Sequence, residues 1–357
     1  MENMGKLKKF YAGKRVLVTG HTGFKGSWLC MALLELGAEV WGVGLPPKTD
    51  PSCFELLNLK QKMTSCLFDI RDLEKLKKVF AEFQPQIVFH LAAQPLVIDS
   101  YRDPVYTFDV NIMGTVNVLE CIRENACVVS AINVTTDKVY ENREQADYRY
   151  QEQDRLNGYD PYSNSKSCSE LVTASYIRSF FQAGQPAIST CRAGNVIGGG
   201  DFSANRIIPD CIRYTLRNEP IIVRNPNSVR PYQHVLEADL FYLELARKQA
   251  ENPQLAGSYN IGPQEDDCIT TGQLCALFCE NWQGARWQAV DWHGPHEAGF
   301  LKLNCDRAKD RLGWQPRWHV DQAVKKTVEW AQALARQEPM DQVTLRQIHE
   351  YWEEEEK

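Results

Sequence analysis

The run Arg-Val-Leu-Val-Thr-Gly (15–20), followed at once by His-Thr-Gly-Phe-Lys-Gly-Ser-Trp, constrains this chain more than any other stretch. A β-branched apolar run ending in glycine reads as a buried strand. Gly20, Gly23 and Gly26 follow at G-x-x-G-x-x-G spacing, and the pattern through "GSWLCMALLELG" continues as a helix stopped by Gly37. A strand that turns on glycines straight into a helix brings backbone N–H groups and a helix N-terminus up to a pyrophosphate. A strand–helix loop that merely needs Gly looks the same, so the remaining chain has to decide.

The remaining chain repeats the alternation. "AEVWGVG", "CLFDI", "QIVFHLAA" (86–93), "CVVSAINVTT" (127–136) and "AISTCRA" (187–193) read as strands. Between them run the helix "LEKLKKVFAEF" capped by Asp72, one long helix through "VYTFDVNIMGTVNVLECIREN", and a helix from about Tyr162 to Phe181. Strands alternating with helices imply right-handed crossovers and a doubly wound parallel α/β (Rossmann) sheet. Beyond residue 194 the elements become shorter and mixed, with "PIIV" and "GSYNIG" as strands and helical stretches at 270–283 and 319–337. With 357 residues, two coupled domains are expected. These are a cofactor-binding domain over 1–190 and a smaller mixed α/β substrate domain over 191–357, the chain recrossing to the first around 230–250.

Charge and apolarity narrow the partners. Lys and Arg number 40 against 46 Asp and Glu, so no net basic field gathers nucleic acid or anionic lipid. The longest stretch without Asp, Glu, Lys or Arg, Phe83–Ile98, is 16 residues and holds two Pro, three Gln and His90; a spanning helix needs about 20 apolar residues. The start "MENMGKLKKFYAGK" has no apolar signal core, which points to the cytoplasm. The 12 Cys include no C-x-x-C pair and read as reduced core residues. Cys275 and Cys279 lack further ligands, and so do His293, His296 and Glu297, so no metal is expected; the latter segment reads as a substrate loop. His90 reads as a buried, satisfied core histidine.

Tyr162 and Lys166 stand four apart, on one helical face, where an ammonium can lower the Tyr pKa from about 10 and make the phenol a usable base. The spacing alone recurs by chance in a chain with 14 Tyr. Its weight comes from order: the Gly loop, "HLAAQP" (90–95), "VTTDKVY" (134–140) and Tyr162/Lys166 follow one another, each at a strand end or helix start.

That ordered set resembles the extended short-chain dehydrogenase/reductase family over roughly residues 14–335. The resemblance implies NAD as cofactor, Tyr162 as acid/base, Lys166 as its electrostatic partner and ribose ligand, and Thr136 as hydroxyl donor at the reacting oxygen. It implies cofactor contacts at Gly20, Thr22, Gly23, Phe24, Lys25, Gly26, Asp69 (near the adenine), Ile70, Leu91, Ala92, Ala93 and Asn111. Thr136-Asp137-Lys138 matches the Thr-Asp-Glu of nucleotide-sugar 4,6-dehydratases at two positions and departs at the third. "TGHTGFKGSWL", "RAGNVIGGGD" and "RPYQHVLE" are similar to the branch acting on CDP-D-glucose. Asp137 is then the acid at the leaving hydroxyl and Lys138 stands where the C5 base belongs. Gln94, Arg192, Asn195, Arg206 and Arg230 are the expected substrate contacts, because a diphosphate calls for forked cations. The second strand ends Gly44-Leu45-Pro46-Pro47, without the acid that usually holds the ribose, so NAD⁺ is expected to be held loosely. A homodimer or larger assembly through the helices at Val105–Glu124 and Tyr162–Phe181 is also implied. The competing readings are a 4-epimerase, which has no use for Asp137, and a non-catalytic dinucleotide sensor, which has no use for Tyr162 and Lys166.

Overall fold

The computed structural model describes residues 2–145, 147–181, 186–290 and 300–354. Seven strands form the central sheet: β1 Arg15–Thr19, β2 Glu39–Gly44, β3 Thr64–Leu67, β4 Ile87–His90, β5 Ser130–Val134, β6 Ala187–Ala193 and β7 Ser258–Ile261. Their order is β7-β6-β5-β4-β1-β2-β3, and every neighbouring pair is parallel. From β1 the chain winds one way to β3 and then the other way to β7, so the order reverses between β1 and β4. Ligands of open α/β sheets sit beyond the strand ends at that reversal. The alternation of β1 explains the two layers. Val16 and Val18 face a core shared with helices α2 (Phe24–Glu35) and α6 (Val235–Glu251), while Leu17 faces the core under α3 (Leu73–Phe83) and α4 (Gly114–Glu124). Helix α5 (Pro161–Phe180) lies beside α4, its start fixed by Asp160, whose side chain accepts from the Ser163 N–H, and by Pro161 in the first turn.

β7 departs from the expected layout: "GSYNIG" is the seventh strand of the main sheet, paired with β6 from Ser258↔Thr190 to Ile261↔Ala193. Helix α6 brings the chain back across the sheet, and Gln249 on it donates to the Ser130 hydroxyl and to the Ala131 and Ala187 carbonyls. What remains outside is a smaller lobe. It is built on Ile207–Leu216, Thr271–Asn281 and Val320–Ala335 around Ile208, Phe278, Val324 and Val328.

The long helix expected from Val105 is instead broken. Asp103 caps a short helix Pro104–Phe108, a wide π-type turn covers Asp109–Met113, and α4 follows. The turn re-aims Asn111 towards the β4 end, which a uniform helical period conceals. Two terminal helices also escaped the pattern. Helix α1 (Glu2–Tyr11) docks through the Tyr11 hydroxyl on the Leu243 carbonyl (2.8 Å), and Met340–Glu353 buries Tyr351 and Trp352. No helix among the described residues is long and apolar enough to cross a membrane.

Candidate active site

The Gly loop sits at the reversal point. Gly20 has φ +77°, and a Cβ there would lie 2.7 Å from the Ala92 nitrogen at the end of β4. A Cβ on Gly26 would lie 2.2 Å from the Gly20 carbonyl oxygen, so only glycine lets α2 start this close to the turn. Gly23 precedes α2 with extended backbone and no side chain caps the helix, which leaves the first-turn N–H groups of a 12-residue helix facing the crevice. Such a cradle fits the pyrophosphate of a dinucleotide. Around it, Thr22 donates to the Leu45 carbonyl (2.8 Å), and Lys25 reaches the Tyr242 hydroxyl (3.3 Å). Burial lowers the Lys25 ammonium, and the buried Asp239 carboxylate partly opposes this.

The reactive groups meet where β5 ends against α5. Thr136 caps the short turn Asp137–Val139, and its hydroxyl donates to Asp137 Oδ1 (3.0 Å). Lys138 Nζ holds the same oxygen at 2.8 Å and Asn195 Oδ1 at 3.1 Å. Asp137 is fully buried, and its Oδ2 has no hydrogen-bond partner. Lys166 Nζ donates to the Val134 carbonyl (2.9 Å). Burial drives this ammonium down to about 7, Lys25 adding to the effect and Glu170 opposing it. Tyr162 differs from expectation. Burial pushes its phenol up to about 12; a hydrogen bond with Thr136 and the charge of Arg206 act against that, and Asp137 and Asp160 with it. Desolvation of the phenolate outweighs the nearby cation.

Comparison with known proteins gives this geometry a family. A GDP-mannose 4,6 dehydratase family model matches residues 17–327. The chain belongs to that family. It is 44% identical over 351 residues to the CDP-glucose 4,6-dehydratase of Salmonella typhimurium, covering 96% of this chain and 98% of that one. Among solved structures, the dTDP-glucose 4,6-dehydratase of Bacillus anthracis in complex with NAD shares the fold with TM-score 0.73 at 19% identity, covering 92% of this chain and 100% of the other. The UDP-glucose 4-epimerase of Thermus thermophilus in complex with NAD gives 0.75 at 25% identity, covering 89% and 99%.

Measured against the dehydratase family's pattern, the residues expected at the site divide. Thr136, Asp137, Lys138, Tyr162, Lys166 and Asn195 come together, with Arg206 close enough to favour the Tyr162 phenolate. Arg206 keeps an ion pair with Asp201 at 3.1 Å while its side chain is 38% exposed. Arg230 donates to its neighbour's carbonyl at Val229 and is largely buried. Arg192, expected among the substrate contacts, is engaged within the protein. It is buried, its Nε and Nη2 grip Glu170 (2.9 and 2.7 Å), and its Nη1 donates to the Tyr140 hydroxyl and the Glu152 carbonyl. Gln94 also has partners within the protein. Its Oε1 accepts from the Leu96 N–H, and its Nε2 donates to Thr107 and to the Leu96 carbonyl. Asn111, expected at the cofactor, clamps the β4 end onto α5. It accepts from the Gln94 N–H and donates to the Gln94 carbonyl and the Ser165 hydroxyl.

Asp69 lies just past β3 with both oxygens on Arg71, which also reaches Asp109 (2.6 Å). Burial works to raise the Asp69 carboxyl, yet these bonds hold it below the usual range. Ile70 fills the core beside Gly114, and Leu91, Ala92 and Ala93 line the half-buried turn after β4. His90 is buried between Thr19 and Thr115, and burial lowers it to about 3. His293, His296 and Glu297 lie outside the described residues. Among the described residues no three His, Cys, Asp or Glu side chains gather as a metal site. Glu170 was missed, although a carboxylate four residues after Lys166 on one helical face was a readable signal.

Proposed function

We propose that this chain converts CDP-D-glucose to CDP-4-keto-6-deoxy-D-glucose and water with NAD⁺ as a recycled cofactor, a hydro-lyase of deoxysugar (O-antigen-type) assembly. The observation that carries this reading is the buried Asp137, ion-paired to Lys138 at 2.8 Å and joined to the Thr136 hydroxyl facing Tyr162. An oxidation at C4 followed by re-reduction at the same carbon needs Tyr162, Lys166 and a hydroxyl. Only an elimination needs an acid and a base beside them.

NAD⁺, when bound, supplies a hydride acceptor that is regenerated in each turnover, so no external oxidant is consumed. Tyr162 takes the proton of the 4-hydroxyl, with Thr136 hydrogen-bonded to the same oxygen. Arg206 and the buried Lys166 favour the phenolate this step requires. The ketone at C4 then acidifies the C5 hydrogen. A proton first passes across the 2.8 Å contact from the Lys138 ammonium to the Asp137 carboxylate. Neutral Lys138 then removes the C5 proton, the C5 electron pair forms a double bond to C6, and Asp137 protonates the departing 6-hydroxyl. These two transfers leave a carboxylate beside an ammonium, the charge state of the 2.8 Å pair. Arg206, Arg230 and Asn195 are the proposed contacts for the nucleotide diphosphate end.

With no acid after β2 to hold the ribose hydroxyls, loose retention of NAD⁺ on purification is expected. Twelve free thiols fit a reducing cytoplasm. Val105, Met113 and Leu171 are 78%, 47% and 55% exposed on the segments that would pair across a two-fold axis, which supports a homodimer. Sedimentation should therefore give about twice 40.8 kDa. The deciding experiment incubates the protein with CDP-glucose and NAD⁺. A product lighter by one water and carrying a 4-ketone is expected, while an unchanged mass would point to epimerisation.

A further inference from the structure

We infer that Tyr140 is a positioning residue for the elimination half of the reaction, holding the Asp137–Lys138 turn in register from behind; the inference rests on the reading of that turn given above. Asp137 and Lys138 sit on a turn of three residues, Asp137–Val139, between two anchors. On the upstream side the Thr135 hydroxyl donates to Glu170 Oε1 at 2.5 Å. On the downstream side stands Tyr140, 1% exposed, whose hydroxyl accepts from Arg192 Nη1 at 2.8 Å and donates to Asn260 Oδ1 at 2.6 Å. Its ring stacks on Tyr150 with centroids 5.2 Å apart, and the Arg192 guanidinium carbon lies 5.1 Å from the ring centre. Both anchors end on one unit, since Arg192 is clasped by the same Glu170 that holds Thr135. The turn is thereby hung between β6, β7 and α5 by a buried hydrogen-bonded network, beside direct bonds to the Val139 carbonyl from the Ser167 hydroxyl (2.7 Å) and the Asn157 N–H (2.9 Å). Glu170 in this network also acts on the Lys166 ammonium, whereas the Tyr140 hydroxyl bonds Arg192 and Asn260, so the effect of Tyr140 passes through the turn.

The hydride half of the reaction has anchors that do not include the Tyr140 hydroxyl. Tyr162 and Lys166 belong to α5, and Lys166 is fixed by the Val134 carbonyl within β5. Loosening Tyr140 should therefore misplace Asp137 and Lys138 while leaving the C4 oxidation geometry in place. A displacement of about 1 Å in reacting groups costs on the order of 10²-fold in rate.

The test is Tyr140→Phe, which keeps the ring and removes both hydrogen bonds, with Arg192→Lys as a second variant that keeps the charge on Glu170 but cannot span to Tyr140. Steady-state rates are measured with CDP-glucose bearing deuterium at C4 or at C5. For both variants kcat should fall about 10- to 100-fold with KM within about twofold. The C5 isotope effect should grow and the C4 effect shrink, because proton loss at C5 becomes limiting. A general loosening of the fold would not redistribute the isotope effects. A folded Tyr140→Phe with kcat within about twofold of the parent, or a slower one with both isotope effects unchanged, overturns the inference. So does a Tyr140→Phe chain too unstable to assay, since the hydroxyl would then serve the fold and not the turn. Asp137→Asn that loses water at full rate brings down the underlying reading instead. A stalled Asp137→Asn beside an unaffected Tyr140→Phe brings down this inference alone.

Discussion

Gly23 and Gly26 lie three residues apart in one loop, yet alanine at each should do different damage. At Gly26 the added Cβ would meet the Gly20 carbonyl oxygen at 2.2 Å and the His21 Cα at 2.9 Å, both backbone atoms. Ordinary contact begins near 3.4 Å, so the turn must retreat by more than 1 Å. Overpacking of this kind costs about 1–3 kcal/mol, offset in part by the stiffer unfolded chain. Unfolding entropy of about 2.1 cal/mol/K per residue over 357 residues means roughly 0.75 kcal/mol per kelvin, so Tm should drop by about 1–4 °C. The same retreat pulls the first-turn N–H groups away from the pyrophosphate. Each charge-assisted hydrogen bond lost is worth about 1.5–3 kcal/mol, so NAD⁺ should bind at least about tenfold more weakly. At Gly23 the Cβ would meet nothing nearer than the Gly20 oxygen at 3.4 Å, and φ is −80°. Gly23→Ala should therefore leave Tm within about 1 °C of the parent while still weakening the cofactor, because the methyl projects where the pyrophosphate belongs. Scanning calorimetry of the apoprotein and NAD⁺ titration calorimetry separate the two. Equal losses of Tm in both variants, or a Gly26→Ala chain that melts and binds like the parent, would refute the packing argument.

Four further variants have expected outcomes. Asp137→Asn should retain oxidation at C4 but slow water loss by about 10²-fold or more, whereas Lys138→Ala should stop exchange of the C5 hydrogen with D₂O; wild-type exchange in Lys138→Ala would remove Lys138 as the base. Arg192→Met leaves Glu170 buried without its cation, so stability should fall by about 3–5 kcal/mol while CDP affinity stays at the parent value, read by denaturant melts and CDP titration. Glu237 accepts from the Arg317 and Trp318 N–H groups and the Tyr351 hydroxyl, yet burial raises its carboxyl from 4.5 to about 7. The folded state then holds this proton more tightly than the unfolded chain, so the contribution is complete below about pH 4.5 and lost as pH rises through 7. Glu237→Gln should flatten that slope and raise stability by up to about 3 kcal/mol at pH 8, measured by urea melts at pH 5 and 8.

How much of this was legible in the chain depended on whether local chemistry or distant packing decided it. β1, its glycines and α2 were readable because strand, turn and helix start are neighbours whose constraints lie within one segment. Thr136, Asp137, Lys138, Tyr162 and Lys166 were readable because each stands at a strand end or on one helical face. The partners of Arg192 were not legible, for the opposite reason. A guanidinium just after a sheet strand suits a diphosphate equally well, and only the fold puts Glu170 and Tyr140 around it. Gln94 and Asn111 satisfy one another across 17 residues, a pairing that no periodicity announces. The break at Asp109–Met113 was hidden because its composition continues the helical pattern on both sides. β7 was assigned to the wrong lobe since a short apolar strand carries no mark of which sheet it joins.

The placement of β7 governs how the chain can be made and cut. Until Ser258–Ile261 has left the ribosome, β6 is an unpaired edge seven residues long and buried on both faces in the finished molecule. A nascent chain released near Ala193 would hold every cofactor-facing glycine, yet it would expose that edge as a template for pairing with other chains. The lobes therefore close together late from the C-terminal side, and a cofactor domain excised after Ala193 should aggregate unless residues 235–261 are supplied in trans.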